Sequence, residues 1–315
     1  MPERPDLDYA VPILRRELAS RRIDGVRVKK PVILRLALPG SPADLLVGRT
    51  FTDVTRRAHF VLFPLGDVEM VIAPMLAGRL AVQPAAQKAP GDLAMAFALD
   101  DGRELRYRDD VQMGKVYLIP AGAWSQVPGL ERIGVDVLDP AAFTLDRFKA
   151  IARARRDQVK VFLMDKSALD ALGNAYADEV LFEAGIHPKT WVRSLGEEEL
   201  ARLHRAIPEV LGRAAREIAG RAPATDEKLR DFLAVRNRHK TPCPRCGTPI
   251  RKAGVHGHDA FFCPRCQPET RKGGIVTWGK LGSAGAAAAA PEKDAGAADA
   301  ERRPAEVKKR RRPQR

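Results

Sequence analysis

Four cysteines constrain this 315-residue chain more than any other feature, because all of them lie in one short segment. They form two Cys-Pro-Arg-Cys pairs, Cys243 with Cys246 and Cys263 with Cys266, separated by 16 residues. Each pair can direct two thiolates at one point, and two pairs complete the tetrahedron that zinc prefers. We therefore predict one structural Zn²⁺ in a β-hairpin finger, because four thiolates leave no open position for catalysis. A redox dithiol, which needs only one pair, is the alternative.

The positive charge of the chain is as localised as its cysteines. The net charge is +14, of which residues 236–272 contribute +7 and residues 301–315 contribute +6. Clustering of this kind is typical of a site for a polyanion. A solvated surface with a basic tail is the alternative.

The composition is that of a globular chain, with 45% hydrophobic and 30% charged residues. No run of about 18 apolar residues is present, which predicts that no segment spans a membrane. The N-terminus is charged and has no apolar signal-peptide core. We expect a cytoplasmic protein, and a monomer.

The apolar pattern divides the chain into a β-rich first part and a helical second part. Helical spacing of apolar residues predicts a first helix over residues 7–20. Short apolar runs between turn residues then predict strands, at 32–38, 60–65, 69–73, 93–99 and 115–119. Beyond residue 139, helical spacing predicts further helices, at 166–184, 197–218 and 225–236.

These patterns predict an α+β fold. We expect an N-terminal helix and antiparallel β-sandwich over residues 1–138, a helical domain over 139–236 and the finger over 237–272. Residues 284–290 are almost all alanine and the remainder is polar and charged. Such a composition cannot build a core, so we predict a disordered basic tail over 273–315.

Three motifs, spread from Pro2 to about Gln267, carry a family resemblance. The chain opens with Met-Pro-Glu-Arg-Pro-Asp-Leu, and residues 173–179 read Gly-Asn-Ala-Tyr-Ala-Asp-Glu, followed by Ala-Gly-Ile-His-Pro at 184–188. With the two Cys-Pro-Arg-Cys pairs, these motifs resemble the formamidopyrimidine-DNA glycosylase/endonuclease VIII family. The resemblance implies a helix–two-turn–helix domain, a zinc finger, damaged double-stranded DNA as the partner, and a bifunctional glycosylase/AP lyase of base-excision repair.

The first residues can supply the chemistry that the resemblance implies. Removal of Met1, which a small second residue permits, leaves the secondary amine of Pro2, and an α-amino group has a pKa near 8. Attack of this amine on C1′ displaces the base and forms an imine, which acidifies the C2′ proton and leads to strand cleavage. Glu3 can exchange protons during ring opening. We predict that Pro2 and Glu3 are catalytic; an ordinary N-terminus is the alternative for these two residues alone.

The resemblance also assigns residues to DNA. It implies that Lys160 and Asn174 bind phosphates beside the lesion. It further implies that Leu76, next to Met75, fills the gap that an everted nucleotide leaves. The alternatives are a solvated surface charge for Lys160, a helix cap for Asn174, and core positions for Leu76 and Met75.

Several positions depart from the family pattern. His59 stands where the family has a strand lysine, and we predict a catalytic contact there. His258 stands where the finger has an arginine, and we predict a DNA contact. Residues 109–114, including Gln112, lack two arginines and an aromatic residue, and Asp136 replaces a glutamate.

These departures bear on activity. Histidine has a reference pKa near 6.5, so we predict that activity falls as pH rises through the midpoint of His59; tolerated substitution at His59 and His258 is the alternative.

The sequence leaves open the lesion, the opposite base, and β- versus β,δ-elimination. The alternative function is a catalytically weakened protein of the same fold that binds damaged or unusually structured DNA.

Overall fold

A computed structural model describes residues 2–170 and 172–269, all within the first of the chain's two units, Met1–Lys272. The predicted tail over 273–315 lies outside the described residues. The helices are α1 (Arg4–Leu18), α2 (Pro42–Leu46), α3 (Leu145–Arg153), α4 (Val159–Met164), α5 (Asn174–Ala184) and α6 (Glu197–Arg221). The strands are β1 (Ile23–Val28), β2 (Leu34–Leu36), β3 (Thr55–Arg57), β4 (Phe60–Leu65), β5 (Val68–Ala73), β6 (Arg79–Pro84), β7 (Leu93–Leu99), β8 (Arg103–Arg108), β9 (Lys115–Pro120), β10 (Arg251–Val255) and β11 (His258–Phe262).

Two sheets form the N-terminal β-sandwich. One has the strand order β1-β7-β8-β6 and the other β2-β9-β5-β4-β3, and only the β2–β9 pair is parallel. Phe63, Phe97 and Tyr107 are fully buried between them, and Leu14 of α1 joins the same core. The predicted α+β class and antiparallel sandwich are therefore confirmed.

The helical part is built on a separate core, in which Phe148, Phe162, Tyr176 and Leu203 are fully buried. Helix α6 agrees closely with the predicted 197–218. The predicted helix over 166–184 is too long, because α5 begins only at Asn174. The residues before α5 instead pair with the chain that leaves the sandwich: the N–H of Gly134 donates to the carbonyl of residue 166 (2.8 Å), and that of Asp170 to the carbonyl of Val135 (2.8 Å).

The predicted helix over 225–236 is wrong, because this segment is extended and turned. Its polar groups are satisfied by distant partners. The hydroxyl of Thr225 donates to the carbonyl of Leu80 (2.8 Å), and Arg230 pairs with Asp6. The carboxylate of Glu179 accepts from the N–H groups of residues 234–236. These long-range contacts outweigh the local helix propensity.

The C-terminal finger contains the predicted hairpin, formed by β10 and β11. His256 and Gly257 link the strands with positive φ angles of 45° and 79°. Phe261 of the hairpin packs with Phe182 of α5, so the finger lies against the helical part. Within the part of the chain that the structure describes, no helix is both long enough and apolar enough to cross a membrane.

Candidate functional site

The buried carboxylate of Glu3 lies where the N-termini of α1 and α5 meet. One carboxylate oxygen accepts from the N–H groups of Gly173 (3.0 Å) and Tyr176 (3.1 Å), and the other from that of Ala175 (2.9 Å). The free N–H groups and the dipole at a helix N-terminus favour a negative charge. Helix α5 therefore fixes the orientation of Glu3, the residue next to Pro2.

Gly173 is required by this arrangement. A Cβ atom at this position would lie 2.2 Å from Cδ of Glu3. The next residue, Asn174, is the first residue of α5, and its side chain caps nothing, so the capping alternative is wrong. Its Oδ1 atom is buried and has no hydrogen-bond partner among the described residues. The structure thus brings Glu3 and Asn174 together at the start of α5.

Pro2 is buried and lines a narrow cleft beside α1. The cleft is also lined by Asp6, Arg79 and Lys228. The carboxylate of Asp6 accepts from the N–H of Glu3 (2.8 Å) and pairs with Arg230. Asp6 therefore stabilises the backbone that carries the two predicted catalytic residues.

A network of ion pairs fixes the start of α1. Arg4 binds Asp136 with two hydrogen bonds (2.7 and 3.1 Å) and also contacts Asp8 (2.8 Å) and Asp170 (3.1 Å). Arg56 of β3 pairs with Asp8 (2.8 Å) and approaches Asp170 at 3.4 Å. Through this network α1 is joined to the sandwich by Arg56, to the chain that leaves the sandwich by Asp136, and to the turn before α5 by Asp170. In the sequence, Asp136 stands out only as a departure from the family pattern, and the other partners cannot be recognised because they lie far apart along the chain.

His59 lies in the β3–β4 turn, where it is half-buried and lines a pocket together with Lys166. Burial, and then the positive charge of Lys166, lower its pKa to about 4. The Nδ1 atom has no hydrogen-bond partner within residues 2–170 and 172–269. A pKa of about 4 leaves the imidazole neutral near pH 7 in the protein alone, and the fall of activity through the midpoint of His59 stays a prediction for the DNA-bound protein.

Lys166 supplies a charge near Glu3 that sequence analysis missed. Its ammonium donates to the carbonyl of Leu172, and the N–H of that same peptide group, on Gly173, donates to Glu3. Burial lowers the pKa of Lys166, while Glu3 and Asp170 act to raise it. No motif marks this lysine, and its segment was predicted as helix.

Lys160 is fully buried, so the alternative of a solvated surface charge is wrong. It forms an ion pair with Asp178, which also pairs with Arg236 (2.9 Å). Its ammonium donates a further hydrogen bond to the carbonyl of Asp259 in the hairpin (2.7 Å). Lys160 therefore connects α4, α5 and the finger rather than standing free beside Glu3.

Exposed apolar side chains lie on two adjacent loops of the sandwich. Leu76 follows β5 and is 56% exposed, so its core alternative is wrong, whereas Met75 is half-buried. Val111 (51%) and Met113 (45%) precede β9. Because β5 and β9 pair with Ala73 opposite Lys115, the two loops are neighbours. Nothing in the sequence marks Val111 and Met113 as exposed neighbours of Leu76.

Two of the departures also lie on exposed turns. Gln112, between the two apolar residues, is exposed and has a φ of 58°; its N–H donates to the carboxylate of Asp109 (2.9 Å). His258 is exposed at the start of β11. Both side chains are therefore open to a ligand.

The four cysteines converge as predicted. Their sulfur atoms all lie within 4.8 Å of one another, with 3.4 Å between Cys246 and Cys263 and 3.9 Å between Cys243 and Cys266. Tetrahedral Zn²⁺ with Zn–S bonds of about 2.3 Å requires sulfur separations of about 3.8 Å. The site fits one structural zinc, and the convergence of both pairs argues against a redox dithiol.

Comparison with known proteins agrees with this geometry. Residues 1–116 match the formamidopyrimidine-DNA glycosylase N-terminal domain, residues 133–223 the H2TH domain of the same family, and residues 241–268 the zinc finger found in FPG and IleRS. The formamidopyrimidine-DNA glycosylase of Desulforamulus reducens is 33% identical over 274 residues, 83% of this chain and 97% of that protein.

Two solved structures have the same fold. The crystal structure of MutM (Fpg) from Thermus thermophilus superposes with a TM-score of 0.72 at 30% identity, covering 84% of this chain and 98% of that one. Fpg (MutM) of Lactococcus lactis, in complex with DNA that contains an oxidised pyrimidine, gives a TM-score of 0.76 at 25% identity over 85% and 100%. In sequence and in fold, the chain therefore belongs to the formamidopyrimidine-DNA glycosylase family.

Proposed function

We propose that this protein is a bifunctional DNA glycosylase/AP lyase that removes a damaged, oxidised base from double-stranded DNA and then cuts the strand. The relatives named above are DNA glycosylases, and one of them is bound to damaged DNA. The observation that carries the proposal is the junction of Pro2 and Glu3 with the N-terminus of α5, since nothing in a purely DNA-binding fold needs a carboxylate fixed beside an N-terminal amine.

The residues act in a defined order. The Pro2 amine, freed by removal of Met1, attacks C1′ and displaces the base. Glu3 exchanges a proton with the sugar ring oxygen as the ring opens. Its three backbone hydrogen bonds keep the carboxylate in place throughout. Loss of the C2′ proton from the imine then breaks the strand.

The DNA contacts follow from charge and exposure. The side chain of Asn174, at the start of α5, binds a backbone phosphate. Leu76, together with Val111 and Met113, fills the gap left by the everted nucleotide. His258 contacts DNA from the finger. Lys160 contributes by positioning α5 and the hairpin, and its direct contact with a phosphate requires the pair with Asp178 to open.

Borohydride trapping on abasic-site DNA tests the mechanism. The protein, shown by mass spectrometry to lack Met1, should become covalently attached through Pro2. A chemically blocked N-terminus should abolish trapping, and Glu3→Gln should slow it by about 10²-fold or more, the usual contribution of an acid–base group. Efficient trapping by the blocked protein would contradict the proposal.

A second candidate function rests on the neutral His59 and on Gln112, which stand where the family has cations. A protein with less charge around the sugar would bind damaged DNA and cleave it poorly. For this candidate we expect tighter binding to lesion duplexes than to undamaged DNA, with no trapped product.

A further inference from the structure

Lys228 places a second amine in the cleft of Pro2. Its side chain is half-buried and lines the cleft. It lies in the connection that leaves the end of α6 and returns to the sandwich. No step of the proposed mechanism uses it.

The segment that carries Lys228 is held against the sandwich. The hydroxyl of Thr225 donates to the carbonyl of Leu80 at the start of β6 (2.8 Å). Asp226 pairs with Arg108 at the end of β8 (2.6 Å). The backbone that carries Lys228 therefore has a defined position at the rim of the cleft.

The ammonium group of Lys228 has few hydrogen-bond partners. It donates one long hydrogen bond of 3.3 Å to the carbonyl of Leu76, and no carboxylate in the described chain forms an ion pair with it. Arg79, which lines the same cleft, has a buried Nε that finds no acceptor among the residues described. Lys228 and Arg79 thus both line the cleft that contains Pro2, and the Lys228 ammonium is the group with donors left over.

The surroundings of Lys228 make its proton easy to release. Burial, and then the charge of Arg79, lower its pKa to about 8; Arg230 acts in the same direction, while Asp6 and Asp110 oppose it. These groups belong to β6, the segment itself, α1 and the turn after β8. An acid is most effective when its pKa lies near the working pH, because it is still protonated yet donates readily.

We propose that Lys228 is a catalytic residue that donates a proton to the departing base. This inference rests on Pro2 being the nucleophile. As the Pro2 nitrogen bonds to C1′, the bond from C1′ to the base nitrogen breaks and its electron pair goes to the base. A proton moves from the Lys228 ammonium to the base, and the neutral amine then takes a proton from water.

Comparison of two assays on the full-length protein tests this role. Lys228→Met should slow single-turnover excision of a lesion base by about 10²-fold or more. Borohydride trapping on abasic-site DNA should stay within twofold, because no base remains to be protonated. Lys228→Arg keeps the charge but holds its proton near neutral pH, so excision should remain slow while the Kd for a lesion duplex is unchanged.

The pH profile gives an independent readout. Excision by the unmutated protein should fall above about pH 8 as Lys228 loses its proton, and this fall should be absent in Lys228→Arg. Lys88→Met, which removes the same charge from an exposed loop, should behave like the unmutated protein. Equal loss of excision and trapping in Lys228→Met, restored by arginine, would show a DNA contact and overturn the inference. A trapped peptide that maps to Lys228 would also overturn the inference. Failure of the unmutated protein to trap at all would instead overturn the proposed function.

Discussion

At the scale of single residues, the site is a set of buried charges that satisfy one another. Four charged side chains of this region are buried, and each contacts an opposite charge or several backbone N–H groups. They are Glu3, Lys160, Asp170 and Asp178. An isolated buried charge is very costly, and removal of one partner from a buried pair typically destabilises a protein by about 3–5 kcal/mol. These side chains therefore determine stability as much as chemistry.

His59 should make stability depend on pH. In the unfolded chain histidine binds a proton near pH 6.5, whereas folded His59 binds it only near pH 4. Between these values the unfolded state holds the extra proton, so stability is lost as pH falls from about 6.5 towards 4. In His59→Gln, the loss of unfolding free energy between pH 7 and pH 5 should be smaller by about 1–2 kcal/mol.

Urea unfolding of both proteins at the two pH values measures this difference. All other titrating groups, including the cysteines, are common to the pair and cancel in the comparison. If both proteins lose the same stability between pH 7 and pH 5, His59 is not held neutral by the fold.

The sequence reveals some residues of the site and hides others for a physical reason. Pro2, Glu3 and Asn174 belong to contiguous motifs, so their proposed roles can be formulated without coordinates. Lys166 and Lys228 cannot be recognised in this way, because their pKa values depend on groups distant in sequence. Glu3 acts on Lys166, and Arg79 acts on Lys228. The burial of His59, which sets its protonation, is likewise a property of the folded chain.

At the scale of secondary structure, the site depends on two helix N-termini that share one carboxylate. Glu3 precedes the first residue of α1, and its side chain accepts from the first N–H groups of α5. The close approach of Gly173 makes this possible, since only a residue without Cβ leaves room for the carboxylate.

Gly173→Ala should therefore displace Glu3. The added Cβ would lie 2.2 Å from Cδ of Glu3, and α5 would lose its bound carboxylate. We expect trapping on abasic-site DNA to fall by at least tenfold and the protein to lose about 1–3 kcal/mol of stability, the usual effect of overpacking. Gly220→Ala in α6, where an added Cβ would meet no atom within 4 Å apart from its own stretch of helix, is the control and should stabilise slightly. Equal trapping by the two variants would mean that Glu3 tolerates displacement.

Elements with strong local patterns were predictable, and those defined by distant contacts were not. The predicted strands 60–65 and 93–99 coincide with β4 and β7, because apolar runs bounded by turn residues need no further information. Residues 225–236 have helical composition, yet their N–H groups bind Glu179 and their cation Arg230 binds Asp6. Tertiary contacts of this kind leave no local signature in the sequence.

At the scale of the whole molecule, positive charge is concentrated towards the C-terminus. Deletion of residues 301–315 lowers the net charge from +14 to +8. Because each neutralised phosphate contributes about −0.9 to the slope of log affinity against log salt, non-specific DNA binding should weaken and its salt slope become shallower. Single-turnover excision at saturating protein should not change. Titration of undamaged duplex at several salt concentrations tests this, and an unchanged slope would show that these charges do not reach DNA.

The finger contacts the rest of the molecule at several points, so removal of its zinc should act at a distance. The hairpin packs on α5 through Phe261, and the carbonyl of Asp259 accepts a hydrogen bond from Lys160. Gln267, one residue after the last cysteine, donates to the carbonyl of Ile186 (2.9 Å). Loss of the metal frees the hairpin and exposes the buried pair of Lys160 with Asp178, whose charges are then stabilised by water instead of by the finger.

We therefore expect one zinc per chain in the purified protein, and loss of that metal in Cys266→Ser. This variant should bind lesion duplex at least tenfold more weakly, because the finger no longer presents His258 to DNA. Trapping through Pro2 at saturating protein should decline much less, since the junction of Glu3 with α5 contains no residue of the finger. Elemental analysis, duplex titration and trapping on one preparation separate these effects. A metal-free variant that binds DNA like the unmutated protein would show that the zinc finger is not needed to hold the duplex.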